Sequence, residues 1–213
     1  VEDPVEAALE GINQIQVNNK VNLTFATALR SILRQDPDII MIGEIRDSET
    51  ASIAVQASIT GHLVVSTLHT NNATGTLDRM VDMGVERYML ADSVVGVIAQ
   101  RLVRKLCPHC RRKRLATPEE KRLMYFSEEE TVEIYEPGGC KLCNDTGYYG
   151  RKGIFEIMEM NEELRRLIAE GSDSKNLIRA AKRNGMRTLR ENGTRDVLAG
   201  ITSIEELLKA SYE

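Results

Sequence analysis

Four cysteines fall in two pairs, Cys107-x-x-Cys110 and Cys140-x-x-Cys143, with 29 residues, 111–139, between them. Each pair makes a knuckle, and two knuckles on one chain let four thiolates converge tetrahedrally on a single zinc ion. Any fold must therefore bring residues 107 and 143 together. Two local disulfides or a redox pair are the alternative readings. A reducing compartment disfavours the first and the matched knuckles disfavour the second. A site closed by four thiolates leaves no open position, so its role is structural. His109, inside the first knuckle, reads as a solvated loop histidine rather than a ligand.

The rest of the composition is that of an ordinary globular protein of 213 residues, with 42% hydrophobic and 28% charged residues. Against 32 acids stand 28 Lys and Arg, a formal net charge of −4, which disfavours a globally basic nucleic-acid binder. Only 4% of residues are aromatic, so no stacking platform accompanies the basic segments. No apolar run approaches the roughly 20 residues needed to cross a bilayer, and the acidic opening VEDPVEAALE has no signal-peptide pattern. The expectation is a cytoplasmic protein. The abrupt start without Met suggests a piece of a longer chain.

Thr24 to Arg34 carries apolar residues at helical spacing, with Thr24 placed as the cap. Asp36-Pro37 ends it, and the unalternating run Ile39 to Ile42 predicts a parallel strand buried on both faces. Ser48 to Thr60 predicts a second helix ending at Gly61, and Leu63 to Val65 a second buried strand. Strand, helix and strand in this order make a βαβ unit, so the first part of the chain is α/β. A helix from Ala73 to Met83 and another from Leu90 to about Leu102 are expected to follow. Thr117-Pro118-Glu119-Glu120 reads as a capping box with Pro in the first turn. Gly147 to Ile157 reads as a hairpin or strand pair. From Asn161 the pattern is short amphipathic helices separated by Gly171, Gly185, Gly193 and Gly200. Their Met and Leu residues, Met158 and Leu164 among them, read as core.

In open parallel sheets, ligands lie beyond the carboxyl ends of the strands. Gly43-Glu44 stands there after the first strand, where phosphate-transferring ATPases place a carboxylate for Mg²⁺ or for the attacking water. His62 and His69 flank the second strand, at its opposite ends unless the chain curls back at Ser66-Thr67. Glu2 and Asp3 end a third candidate strand. Seven basic residues between Arg101 and Arg114 form a strip that reads as a solvated cationic rim, neutralised by Glu128, Glu129, Glu130 and Glu133.

EDPVE at residues 2–6, GEIRD at 43–47, TGHLVVSTLHT at 60–70, QRLVRKLCPHC at 100–110 and CKLCNDTGYYGRKGIFE at 140–156 together resemble the secretion ATPase superfamily. The resemblance spans essentially the whole chain. It is strongest to the hexameric ATPases of type IV pilus assembly and type II secretion, the tetracysteine branch. It implies a partial RecA-like core over residues 1–104, a tetracysteine zinc insertion over 105–147, and a strand pair with a helical subdomain over 148–213. It also places Glu2 in the aspartate box, Gly43-Glu44 in the Walker B segment, and His62 and His69 in the histidine box. By that analogy Glu44 holds Mg²⁺ and its water shell, and Glu2 polarises the attacking water, two roles that are interchangeable on sequence grounds. His69 and His62 sense the γ-phosphate, and Arg46 joins them or pairs with Asp47 or Glu49.

The resemblance implies ATP with Mg²⁺ and structural Zn²⁺ as cofactors, a homo-hexamer, and an inner-membrane platform protein as partner. Membrane association is then peripheral, and nucleic acid is not a partner. The family's phosphate loop, G-x-x-x-x-G-K-[ST], does not occur in these 213 residues, so the chain alone is expected not to hydrolyse ATP. A non-enzymatic zinc-stabilised adaptor is the alternative.

Overall fold

The computed structural model describes residues 1–211. Thr24 opens the first helix, α1 (Phe25–Ile32), with a reciprocal capping box: its hydroxyl accepts from the Thr27 amide while the Thr27 hydroxyl accepts from the Thr24 amide. The buried face carries Phe25, Ala26, Ala28 and Leu29. Strand β1 (Ile39–Ile42) runs parallel to β2 (Leu63–Ser66) in the register Ile39↔Leu63 to Ile42↔Ser66, and α2 (Ser48–Ile59) is the crossover between them. Asp47 caps α2 by accepting from the Thr50 amide at 2.8 Å.

The expectation that both faces of this sheet are buried is corrected. Ile40 and Ile42 point inward at 2% and 0% exposure, whereas Ile39, Met41, Leu63 and Val65 are 64%, 44%, 48% and 51% exposed. An unalternating apolar run suits a strand covered twice, and the described residues cover it once.

Helices α3 (Ala73–Asp82) and α4 (Arg87–Ser93) follow. The predicted helix to Leu102 stops at Ser93, and the chain continues as strand β3 (Gly96–Leu106). Val94, Val95, Val97 and Ile98 are β-branched and stiff at χ1, and they favour a pleated surface over a helix. Beyond the first knuckle come β4 (Arg112–Leu115), α5 (Pro118–Leu123) and β5 (Glu133–Glu136), with β4 and β5 antiparallel. Strand β6 (Tyr148–Glu159) pairs with β3. It is one long strand, where the sequence suggested a pair, because Gly150 and Gly153 lie within it and not at a turn.

Helices α6 (Glu162–Ala169), α7 (Ser174–Arg183), α8 (Leu189–Leu198) and α9 (Ile204–Ala210) complete the described chain. Gly193 was expected between helices and instead sits inside α8. A Cβ there would fall 2.2 Å from Leu207 Cδ1, so any larger residue would push the Leu207 side chain aside.

The chain forms two compact units. One comprises Val1–Val97 with Glu159–Asn184; the other comprises Ile98–Met158 with the described residues from Gly185 onward. Residues 105–147 fall in the second, whose core includes Val103, Ile134, Ile154, Leu189, Val197 and Leu207. Met158 and Leu164, read as core from the sequence, are fully buried.

Candidate functional site

The end of β1 is where the acids gather. The Gly43 amide donates to the Val1 carbonyl at 2.7 Å and the Val1 amine to the Met41 carbonyl at 2.8 Å, so the first residues run beside β1. Glu2 is held on its other side by bonds to the Ile15 carbonyl and the Val17 amide, each 3.0 Å. A Cβ on Gly43 would sit 3.4 Å from Glu2 Cα, which makes Glu2 a direct neighbour of the residue preceding Glu44. The Glu2 carboxylate accepts from Gln14 Nε2 at 2.9 Å.

Glu44 itself is largely enclosed, its side chain 14% exposed. One oxygen, Oε1, is 2.5 Å from the Arg46 guanidinium; the other, Oε2, lies 3.3 Å from His69 Nε2, outside hydrogen-bond geometry. Oε2 is buried with no hydrogen-bond partner. The Arg46 hydrogen bond holds the Glu44 carboxyl below the usual carboxylate range against the opposing effect of burial, and the charge of Arg46 and the nearby His69 ring add to it. The result is an ionised carboxylate at the carboxyl end of a parallel strand, with one oxygen engaged by Arg46 and the other facing His69 without a hydrogen bond. Such an oxygen can take a divalent cation or a water proton.

His62 is not part of this group. Its Nδ1 lies 3.0 Å from the Ala57 carbonyl and 3.2 Å from Thr60 Oγ1, which seats it at the amino end of β2, against the last turn of α2. Arg46 takes Glu44 as its partner, because Asp47 is spent capping α2 and Glu49 pairs with Arg30 at 2.5 Å. Gln14 is a site residue that the sequence does not single out, and Thr67, noted there only for a possible curl, donates its hydroxyl to the Gly43 carbonyl at 2.6 Å. Neither belongs to a charged or metal-ligating pattern that spacing reveals.

In the second unit the four cysteines converge. Cys107 Sγ and Cys140 Sγ are 3.9 Å apart, Cys110 and Cys143 3.8 Å, and Cys140 and Cys143 3.7 Å, with all four sulfurs within 4.8 Å of one another. A tetrahedron of sulfurs about 2.3 Å from zinc has edges of about 3.8 Å, so the donor set fits that ion. Backbone amides aim at the sulfurs: Gly139 at Cys110 (3.2 Å), and Cys140 and Gly147 at Cys143 (3.3 Å each). Burial pushes the Cys110 thiol up to about 11. It acts on Cys143 too, where the Cys140 and Gly147 amides outweigh it and bring that thiol down to about 6. His109 is exposed and outside the four-sulfur group.

Much of the basic strip is engaged with partners, though mostly not those expected. Arg104 pairs with Glu206 at 2.8 Å and lies 3.9 Å above the Tyr148 ring; Arg114 pairs with Glu120 and Glu136; Arg111 reaches the Gly200 carbonyl. Of the four expected acids, Glu133 takes Lys113 at 2.6 Å, while Glu128 pairs with Arg122, outside the strip.

The sequence profile described as type II/IV secretion system protein matches residues 1–209. The chain belongs to the type II/IV secretion system protein family. Among the relatives of this family, the type II secretion system protein HxcR of Pseudomonas aeruginosa is 54% identical over 213 residues, which cover all of this chain and 42% of that protein. The type IV pilus assembly ATPase PilB of Thermus thermophilus is 48% identical, covering all of this chain and 24% of its own length. The chain thus spans less than half of these family members. The solved structure of the pilus retraction motor PilT with bound ADP superposes with a TM-score of 0.68 at 29% identity, over all of this chain and 51% of PilT. The α/β fold expected from the resemblance is therefore that of a secretion-family ATPase, with the tetracysteine cluster in place. Among the described residues no helix is long and apolar enough to cross a membrane.

Proposed function

We propose that this chain is the C-terminal part of a motor ATPase that couples ATP hydrolysis to the assembly of pilin-like subunits, in type IV pilus formation or type II secretion. The observation that carries the proposal is Glu44, an ionised carboxylate past a parallel strand with one buried oxygen left without a hydrogen bond. That free oxygen fits a magnesium shell. Bound Mg²⁺–ATP supplies a γ-phosphoryl group whose leaving and attacking oxygens are drawn into line, with the cation neutralising developing charge.

The chain's own residues then divide the work. Glu44 would offer Oε2 to the cation or its water, while Arg46, 2.5 Å from Oε1, keeps the carboxylate ionised. Glu2, beside Gly43, accepts a proton from the attacking water, with Gln14 fixing its rotamer. His69, 88% exposed and 3.3 Å from Glu44, stands at the rim where it answers a phosphate by hydrogen bonding. His62 reaches that phosphate only through a change of its present contacts, so its role here is to join β2 to α2.

These 213 residues contain no G-x-x-x-x-G-K-[ST] phosphate loop, so the chain alone should not turn over ATP. The four thiolates would hold one structural zinc ion, which their sulfur spacing fits. The working assembly is a homo-hexamer on the cytoplasmic face of the inner membrane, bound to a platform protein.

The test uses the full-length protein. Glu44→Gln should leave nucleotide binding within about threefold and lower turnover by two orders of magnitude or more. Wild-type turnover in that variant overturns the assignment.

A further inference from the structure

Both strands of the parallel pair end together, at Ile42 and Ser66. Beyond that point the sheet ladder no longer holds Glu44 against His69, and one residue takes over. Thr67 makes two bonds to the loop after β1: its carbonyl accepts from the Ile45 amide at 3.1 Å, and its hydroxyl donates to the Gly43 carbonyl at 2.6 Å. The two bonds fall on either side of Glu44, so a single residue grips the peptide groups before and after the carboxylate. On its other edge Gly43 is tied to Val1, next to Glu2. Two residues after Thr67 comes His69, whose ring meets Glu44 Oε2.

We infer that Thr67 is a positioning residue for the phosphoryl-transfer site, its hydroxyl setting the distance between Glu44, Glu2 and His69. The inference rests on the proposed ATPase reading of the same site. Thr67 touches neither the carboxylate nor the imidazole. It acts through the backbone, and the glycine at 43 makes that necessary, since a residue without Cβ has the widest backbone freedom. The carbonyl half of the grip is a backbone acceptor that every residue type carries, and the hydroxyl half is specific to Thr or Ser. Loss of the hydroxyl frees the Gly43–Glu44 peptide to rotate, so the carboxylate samples poses that do not align with the phosphate. Ground-state nucleotide contacts made elsewhere stay in place.

The experiment compares Thr67→Val and Thr67→Ser in the full-length protein by steady-state ATP hydrolysis, with Glu44→Gln alongside. Thr67→Val keeps the shape and removes the donor. It should lower kcat tenfold or more with KM within threefold of wild type, and Thr67→Ser should restore kcat to within threefold. In a His69→Ala background the further loss on Thr67→Val should shrink to threefold or less, since the geometry it protects is already gone. A purely structural role would lower the melting temperature without these three signatures. If Thr67→Val does not assemble, Thr67→Ala against Thr67→Ser gives the same contrast. Turnover in Thr67→Val within twofold of wild type while Glu44→Gln is inactive overturns the inference and leaves the ATPase reading standing. Equal impairment of the Ser and Val variants also overturns it. Wild-type turnover in Glu44→Gln removes the ATPase reading and this inference with it.

Discussion

Glu44 owes its ionisation to a neighbour two residues away. Because the Arg46 hydrogen bond is the largest influence holding its carboxyl down, Arg46→Gln should let the pKa rise. A depressed carboxyl is charged throughout the range above its folded pKa, so the acid limb of kcat/KM in the full-length enzyme should move to higher pH in this variant. A pH–rate profile from pH 4 to 8 checks it, and an unmoved limb would separate Arg46 from the chemistry. The apolar run closed by Gly-Glu did not by itself single out Glu44, since acids often follow strands as solvated loop residues; the set of ordered motifs around it did. The histidines were less legible. Spacing showed two imidazoles flanking one strand, but a four-residue strand extends about 13 Å, which parts its ends. Parallel strand ends already put His69 on the side of Glu44; only a curl at Ser66-Thr67 could have brought His62 there too, and its contacts with Ala57 and Thr60 keep it at the far end.

Among the elements, α5 is held by one acid in two roles. Glu120 accepts from the Thr117 amide at 2.8 Å to close the capping box and pairs with Arg114 at 2.6 Å, which together bring its pKa to about 2. A depressed folded pKa gives stability that is fully present above the ordinary value of 4.5 and is lost as the pH falls from there toward about 2. Glu120→Gln should therefore cost about 1–2 kcal/mol at pH 7 and almost nothing near pH 2, measured by urea denaturation at both. Gly138 is tighter still. A Cβ there would lie 2.0 Å from the Cys110 carbonyl oxygen, a backbone atom that cannot rotate aside. Gly138→Ala should weaken zinc retention at least tenfold in a chelator competition and destabilise the unit by roughly 2 kcal/mol or more. The cap at Thr24 and the capping box at Thr117 were readable because they are local. Strand β3 was not: Leu90 to Leu102 carries apolar residues at spacings that suit a helix, and pairing with β6, some 50 residues later, decides between the two forms.

For the molecule as a whole, the two units should part company under chelation. A zinc ion held by four thiolates would contribute folding energy on the order of 10 kcal/mol, about the whole stability of such a unit, so chelation should unfold the cysteine-bearing unit or lower its melting transition by roughly 40 °C or more. The transition of the unit holding Glu44 should move far less, and a single uniform shift in calorimetry would contradict this. The thiol convergence was legible at full length because cysteine spacing encodes it directly. The division of the chain was not, since each unit is assembled from two separate stretches.

The β1–β2 sheet, dry on one side and wet on the other, sets how this chain behaves in a tube. Ile39, Met41, Leu63 and Val65 line up as adjacent pairs, a sticky stripe that water wets poorly. Expressed by itself, the chain should brighten an environment-sensitive dye and salt out early in ammonium sulfate, and threonine at positions 41 and 65 should postpone both.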